Sequence, residues 1–322
     1  MSGSDIVHRQ IDVNGISMHV AEAGDPQGDP VVLCHGFPEL WFSWRHQLPV
    51  LAEAGYHVLA PDQRGYGRTD APSAIEDYDL PHLTDDIAGL LDAFGHDQAV
   101  IVGHDWGSIV AWGMAQRLPE RVRAVVGMSV PFAPRGPMSL IDLLKQVMGD
   151  RFFYILYFQE PGVADADLGQ DPREAMRRFL TAIAGEGQQG QGLATSLPAE
   201  GTTFWDWIRP APVLPGWLSE DALDVFATEF ERTGFTGGIN WYRNFHRNWE
   251  LSEDYGTRKI DMPAAFVAGE KDPVLALARP EAMDGWVTDL RVSEIVPGAG
   301  HWVQQEKPEE TNEALLRFLR TL

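Results

Sequence analysis

The chain has 322 residues, and its 25 Lys and Arg against 47 Asp and Glu give a formal net charge of −22 at pH 7. Such a surface argues against nucleic acid or an anionic membrane as partner, because both need positive charge opposite them. With 44% hydrophobic and 10% aromatic residues the chain can bury a large core, and its one cysteine, Cys34, excludes an internal disulfide framework.

Residues 6–13 and 16–23 read as two strands joined by a turn at Asn14-Gly15. Val31 to Cys34 is a short apolar run that ends in His35-Gly36, the pattern of a strand buried on both faces of a parallel sheet. A helical stretch near 43–54 leads to a strand at 56–60, and a helix over about 81–94 is closed by Gly95. Val100 to Val102 is the next strand and stops at Gly103; residues 107–117 read as a helix ahead of Pro119, and 122–130 as a strand. This alternation predicts an α/β fold with a mostly parallel sheet flanked by helices.

The alternation breaks after Pro131. Residues 132–255 hold helical patterns, a Gly/Gln-rich loop from Gly185 to Gly192, a Pro-rich stretch at Pro210, Pro212 and Pro215, and five of the 11 tryptophans. Strands resume at 264–268 and 292–296, and a helix from about Pro308 to Leu319 closes the chain. The expected organisation is a sheet domain of residues 1–131 and 256–322, interrupted by a helical cap at 132–255. Ligands bind at the carboxyl ends of parallel strands, so an insertion there forms a lid.

Gly103-His-Asp-Trp-Gly107 stands between the strand at 100–102 and the helix at 107–117. A strand, G-x-D-x-G and a helix in register form the sharp elbow that raises a nucleophile above a sheet. The elbow residue is Asp105, with the helix N-terminus beside it to favour an ionised carboxylate. His35-Gly-Phe-Pro38 takes the chain position of an oxyanion loop, so the backbone N–H groups of Phe37 and Trp106 are the candidate donors. Asp272 and His301 each follow a predicted strand, and the order Asp105, Asp272, His301 is that of nucleophile, acid and base. Glu270 and Asp284 are close enough in sequence to compete with Asp272.

An aspartate in place of a serine changes the chemistry available. A carboxylate is suited to displacement at a saturated carbon, which leaves an ester on the enzyme. Water activated by His301 would then attack that ester, with Asp272 orienting the imidazole. An epoxide oxygen leaves as an alkoxide and needs a proton donor, whereas a halide needs only a polar cradle. The tyrosines of the insertion, Tyr154, Tyr157 and Tyr242, are candidate donors.

The chain resembles the α/β-hydrolase-fold epoxide hydrolases, both the hydrolase half of the soluble vertebrate enzyme and bacterial relatives. The likeness rests on His35-Gly-Phe-Pro-Glu39, Trp44-Arg45, Gly65-Tyr-Gly67, Gly103-His-Asp-Trp-Gly107, Tyr157-Phe-Gln-Glu-Pro-Gly162, Asn240-Trp-Tyr-Arg-Asn244 and Gly300-His-Trp302. It implies the α/β-hydrolase fold with an inserted helical cap. It also implies Tyr154 and Tyr242 as the epoxide-activating pair, with Tyr157 second to Tyr154, and a cis Phe37-Pro38 bond. The substrate-binding set expected is Phe37, Trp106, Ile155, Tyr157 and Trp241. A haloalkane dehalogenase is the alternative, since it shares the fold and the aspartate. It would place Asn where Phe37 stands and lack the paired tyrosines. A catalytically dead relative used as a binding module would have a broken constellation, and none of the three residues is missing.

No H-E-x-x-H, C-x-x-C or Cys/His cluster points to a metal, and no phosphate-binding glycine loop points to a nucleotide, so neither metal nor cofactor is expected. The aromatic insertion suggests an apolar pocket for a small hydrophobic epoxide, with water as the second reactant. No run approaches the ~18 apolar residues of a membrane span and no apolar signal core is visible near Met1. The expectation is a cytoplasmic protein, monomeric or homodimeric.

Overall fold

β1 (Val7–Val13) turns at Asn14-Gly15 into β2 (Ile16–Ala23), and the two pair antiparallel from Val7 opposite Glu22 to Val13 opposite Ile16. The computed structural model describes residues 5–186, 197–210 and 212–322. The Gly/Gln-rich loop expected at 185–192 therefore lies outside the described residues from 187 onward. β3 (Pro30–Cys34), β4 (His57–Pro61), β5 (Ala99–His104), β6 (Val122–Met128), β7 (Ala264–Gly269) and β8 (Leu290–Val296) complete one eight-stranded sheet. Its order is β1-β2-β4-β3-β5-β6-β7-β8; β2 meets β4 antiparallel, and every pair from β4 to β8 is parallel.

The central strands are buried on both faces, which is why they read as unbroken apolar runs. Val31, Leu33, Val100 and Val102 enter one cluster, under α1 (Gln47–Glu53) and the C-terminal helix; Val32, Cys34 and Ile101 enter the other. That second face is covered by α2 (Leu80–Phe94) and α3 (Trp106–Arg117). Burial pushes the Cys34 thiol up to about 12, so it is a core side chain and no nucleophile.

The strand read as 100–102 runs from Ala99 to His104 and the one read as 292–296 starts at Leu290; two further boundaries differ for a local reason. Trp41–Trp44 forms a 3₁₀ turn, so α1 starts at Gln47, which puts Pro49 in the first helical turn where its missing N–H costs nothing. β6 stops at Met128 because Ser129 takes a φ of 66°.

No sheet strand lies among the described residues between Met128 and Ala264. That stretch holds α4 (Leu140–Met148), α5 (Tyr154–Tyr157), α6 (Val163–Leu168), α7 (Pro172–Ala182), α8 (Phe204–Trp207), α9 (Glu220–Thr233), α10 (Thr236–Arg243) and α11 (Phe245–Leu251). After β8 come α12 (Val303–Glu306) and α13 (Pro308–Leu319). Among the described residues no helix is long and apolar enough to cross a membrane.

Candidate active site

β5 ends at His104 and α3 begins at Trp106, so the whole reversal falls on Asp105, at φ 52° and ψ −118°. A residue other than glycine in such a region costs about 1–3 kcal/mol and persists only where the surroundings impose it. Here the packing of strand on helix does so. A Cβ at Gly103 would stand 1.9 Å from the carbonyl oxygen of Gly107, and one at Gly107 would stand 2.0 Å from that of Cys34. The Asp105 side chain makes no capping bond to α3, so an ordinary helix-capping role does not explain it. Its Oδ1 instead accepts from the N–H of Phe37 at 2.8 Å, while the Trp106 N–H lies close enough to favour the ionised carboxylate. The Phe37-Pro38 bond is cis. Burial raises the Asp105 pKa, while His301, His104 and the two N–H groups work against that rise.

His301 lies between two carboxylates. Its Nδ1 is 3.0 Å from Asp272 Oδ2, and its Nε2 is 3.7 Å from Asp105 Oδ2. Burial opposes the imidazolium, but Asp272 and, less strongly, Asp105 outweigh it and lift His301 to about 9. Burial alone would raise Asp272; His301, the Val274 N–H and the Ser129 hydroxyl together hold it below the usual carboxylate range. The Val274 N–H reaches Asp272 Oδ1 at 2.9 Å, which fixes the acid from its own loop. The sequence competitors stay apart: Glu270 accepts from the Gly298 N–H on the surface.

Beneath these groups lies a layer the sequence reading left out. Glu39 is fully buried and held near 2, because His104 overcomes the burial penalty. Its Oε2 takes the Gly36 N–H at 2.9 Å and meets His104 Nδ1 at 2.6 Å. His104 Nε2 meets the carbonyl of His301 at 2.8 Å, so the His35–Pro38 loop, the elbow and the histidine loop share one network. The signal was present, since Glu39 and His104 both lie inside quoted motifs.

The insertion supplies two phenols. Tyr154 opens α5 and Tyr242 lies in α10, and both hydroxyls are pushed upward by burial and by the nearby Asp105 charge, so they remain protonated donors. Their ring centroids are 5.9 Å apart. Tyr154 stacks on Trp207 at 5.2 Å and 7°, while Tyr242 packs edge-on to Phe37, Trp106 and Phe158. The family-like motifs hold α5 and α10 together. Gln159 Nε2 donates to the carbonyls of Ile155 and Tyr242, and Arg243 bonds the Phe158 carbonyl and Asp165.

One cavity of about 350 Å³ is lined by Asp105, His301, Tyr154, Tyr242 and Phe37. Its remaining wall is mainly apolar, formed by Met148, Phe152, Phe153, Phe179, Ile183, Trp207, Ile208, Val274 and Leu277, with Arg151 among them. Four members of the expected substrate set do not reach this wall with their side chains. Trp241 is buried, with its indole N–H on the Arg64 carbonyl. Tyr157 turns its hydroxyl to Asp167. Ile155 is buried one residue beyond Tyr154, and Trp106 lies under Tyr242. Met148, Phe179 and Trp207 were missed; Trp207 had a local signal, the capping box of Thr203 and Asp206 that starts α8. Among the described residues no group of three or more His, Cys, Asp or Glu is arranged to hold a metal ion.

The family model described as alpha/beta hydrolase fold matches residues 29–308. Epoxide hydrolase A of Mycobacterium tuberculosis is 48% identical over 98% of this chain and 97% of its own length. The bifunctional epoxide hydrolase 2 of Sus scrofa is 40% identical over 95% of this chain, which corresponds to 54% of that longer protein. The crystal structure of epoxide hydrolase A from Mycobacterium thermoresistibile superposes with a TM-score of 0.94 at 48% identity, covering 98% of both chains.

Proposed function

The chain belongs to the α/β-hydrolase-fold family and, within it, to the epoxide hydrolases, and from that premise we propose that it opens a hydrophobic epoxide to a vicinal diol through an ester on Asp105. The observation that carries this reading is one cavity in which two protonated phenols, Tyr154 and Tyr242, share the wall with the elbow carboxylate and His301. A halide would not need the phenols; an epoxide oxygen does. The relatives named at this similarity are epoxide hydrolases, and nothing in the site favours the dehalogenase alternative.

In the first step Asp105 Oδ2, the oxygen not held by Phe37, bonds to a ring carbon. The C–O bond of the ring breaks, and a phenol gives its proton to the leaving oxygen. Oδ1 becomes the ester carbonyl oxygen, already in the grip of the Phe37 N–H. In the second step His301 Nε2 takes a proton from water, and the hydroxide attacks Cγ of the ester. The Phe37 and Trp106 N–H groups hold the oxyanion. As the tetrahedral adduct collapses, His301 returns its proton to the leaving alcohol oxygen. The phenolate, far below its own pKa at neutral pH, recovers a proton from solvent while the ester stands, and the second proton of the water, left on the Asp105 carboxyl, returns to solvent in exchange. Asp272 holds the imidazole through Nδ1 and stabilises its cation. In this reading the cap is residues 132–255, seated on a core of 1–131 and 256–322; the lack of sheet strands among the described residues between β6 and β7 supports it.

A single turnover in heavy-oxygen water tests the mechanism. The label is expected in the Asp105 carboxylate and not in the first diol. Label in that first diol means direct hydration and defeats the ester.

A further inference from the structure

Ile183, Ala184 and Gly185 leave the end of α7 and lie directly on the loop that carries His301. The His301 N–H donates to the Ile183 carbonyl at 2.9 Å. Gly185 is held through both of its backbone polar groups: its N–H donates to Glu306 Oε2 at 2.7 Å, and its carbonyl accepts from Lys271 Nζ at 3.2 Å, next door to Asp272. The approach leaves no space for a side chain. A Cβ on Gly185 would stand 2.1 Å from the Gly298 carbonyl oxygen, and one on Gly300 would stand 2.3 Å from the Gly185 nitrogen.

Glu306 is the centre of this contact. Besides Gly185, its Oε2 accepts from the Gly300 N–H at 2.9 Å, and its Oε1 from the Trp302 N–H at 3.0 Å. One carboxylate therefore grips the residues on both sides of His301 together with the cap segment that abuts them. Burial raises its pKa, while the three N–H groups that point at it oppose that rise. Ring opening needs Asp105, Tyr154 and Tyr242, and Glu306 bonds to none of them.

We propose that Glu306 is a positioning residue for the second half-reaction. It holds the His301 imidazole in line with the ester by fixing Gly300 and Trp302, and through Gly185 it makes that placement depend on the cap being docked. The proposal rests on the two-step reading above. It gives the cap a second duty besides presenting the phenols, because a cap that lifts takes support away from the base.

Glu306→Gln is the first test. The amide keeps the size of the side chain but must turn its NH₂ toward at least one of the three N–H donors, so at least one bond is lost. In a quenched single turnover followed by intact-protein mass, ester formation is expected within about twofold of the parent, while ester breakdown slows about ten- to a hundredfold, as a displaced catalytic group would cause. The ester then accumulates on Glu306→Gln. Gly185→Ala attacks the same contact from the cap side with Glu306 intact, and it should show the same split even if Glu306→Gln folds poorly. Equal slowing of both half-reactions, or unchanged ester breakdown in both folded variants, overturns the proposal. Absence of any ester in the parent protein would instead remove the two-step reading on which it rests.

Discussion

On the sheet side of the cavity, Asp105 and His301 are fixed by backbone; on the cap side, Tyr154 and Tyr242 are fixed by ring against ring. Asp105 stands on a left-handed elbow with an N–H on its Oδ1, and His301 is held through its own N–H, its own carbonyl and Asp272. The phenols are neutral, and Trp207, Phe158 and Phe37 set their orientation by stacking and edge contacts. The difference follows from charge. A buried carboxylate or imidazolium needs hydrogen-bond partners at fixed positions, whereas a neutral phenol that lines a cavity can be oriented by the packing of its ring. Changes on the sheet side should therefore alter chemistry, and changes in the cap packing should alter which epoxide fits.

The strongest way to break that division is to remove the phenol oxygens and leave the rings. Tyr154→Phe with Tyr242→Phe keeps the packing, so the protein should fold and still bind an epoxide. Ester formation should fall by about 10²–10⁴, the range of a lost general acid, with each single change giving less. Rapid-quench measurement of ester formation checks this. A double variant that opens the ring at the parental rate would place the donor elsewhere.

A smaller effect separates the half-reactions by pH. In the resting site two carboxylates outweigh burial and lift His301 to about 9, so at pH 7 the imidazole is mostly charged. In the proposed cycle, forming the ester removes the Asp105 charge and with it one cause of that rise. The pKa of His301 in the intermediate therefore lies below the resting value. Hydrolysis needs the neutral ring, so its rate should climb about tenfold per pH unit below that lower pKa and level off above it. Ring opening needs His301 in neither form as a base and should lack this rise. More ester should accumulate as pH falls. Ester breakdown that is flat across the range would remove His301 as the base.

How far each side was legible in the sequence follows from the same division. The elbow was legible because strand, G-x-D-x-G and helix are consecutive, and the turn is a local backbone event. Asp272 and His301 were legible as residues just past strand ends. The cap tyrosines were assigned through family-like motifs, because composition cannot tell a phenol facing a cavity from one packed in a core. Trp241 and Ile155 show the same limit. Both belong to aromatic or apolar segments beside a site tyrosine, yet both point into packing, and only the tertiary arrangement of α5 and α10 decides that. Met148, Phe179 and Trp207 come from three separate helices, and no spacing in the chain could have brought them together.

Tyr157 gives the smallest effect and the finest discrimination between the two kinds of support. It lies three residues after Tyr154 in a one-turn helix, so sequence spacing alone puts the two hydroxyls near one another. Its hydroxyl instead donates to Asp167 Oδ2 at 2.7 Å, an oxygen that also accepts from the Phe204 N–H at 2.6 Å. Asp167 is buried, and this pair joins α6 to the start of α8, which carries Trp207 and so the stacking partner of Tyr154. Tyr157→Phe removes one of the donors on that carboxylate and leaves the Phe204 N–H and Gln170 in place. The expected cost is about 1 kcal/mol of stability. In a chain of this size that is about 2 °C in melting temperature. Single-turnover ring opening should stay at the parental rate, because the oxygen removed faces away from Asp105. A loss of ring opening comparable to that of Tyr154→Phe would move the proton donor one turn along α5 and take the role from Tyr154.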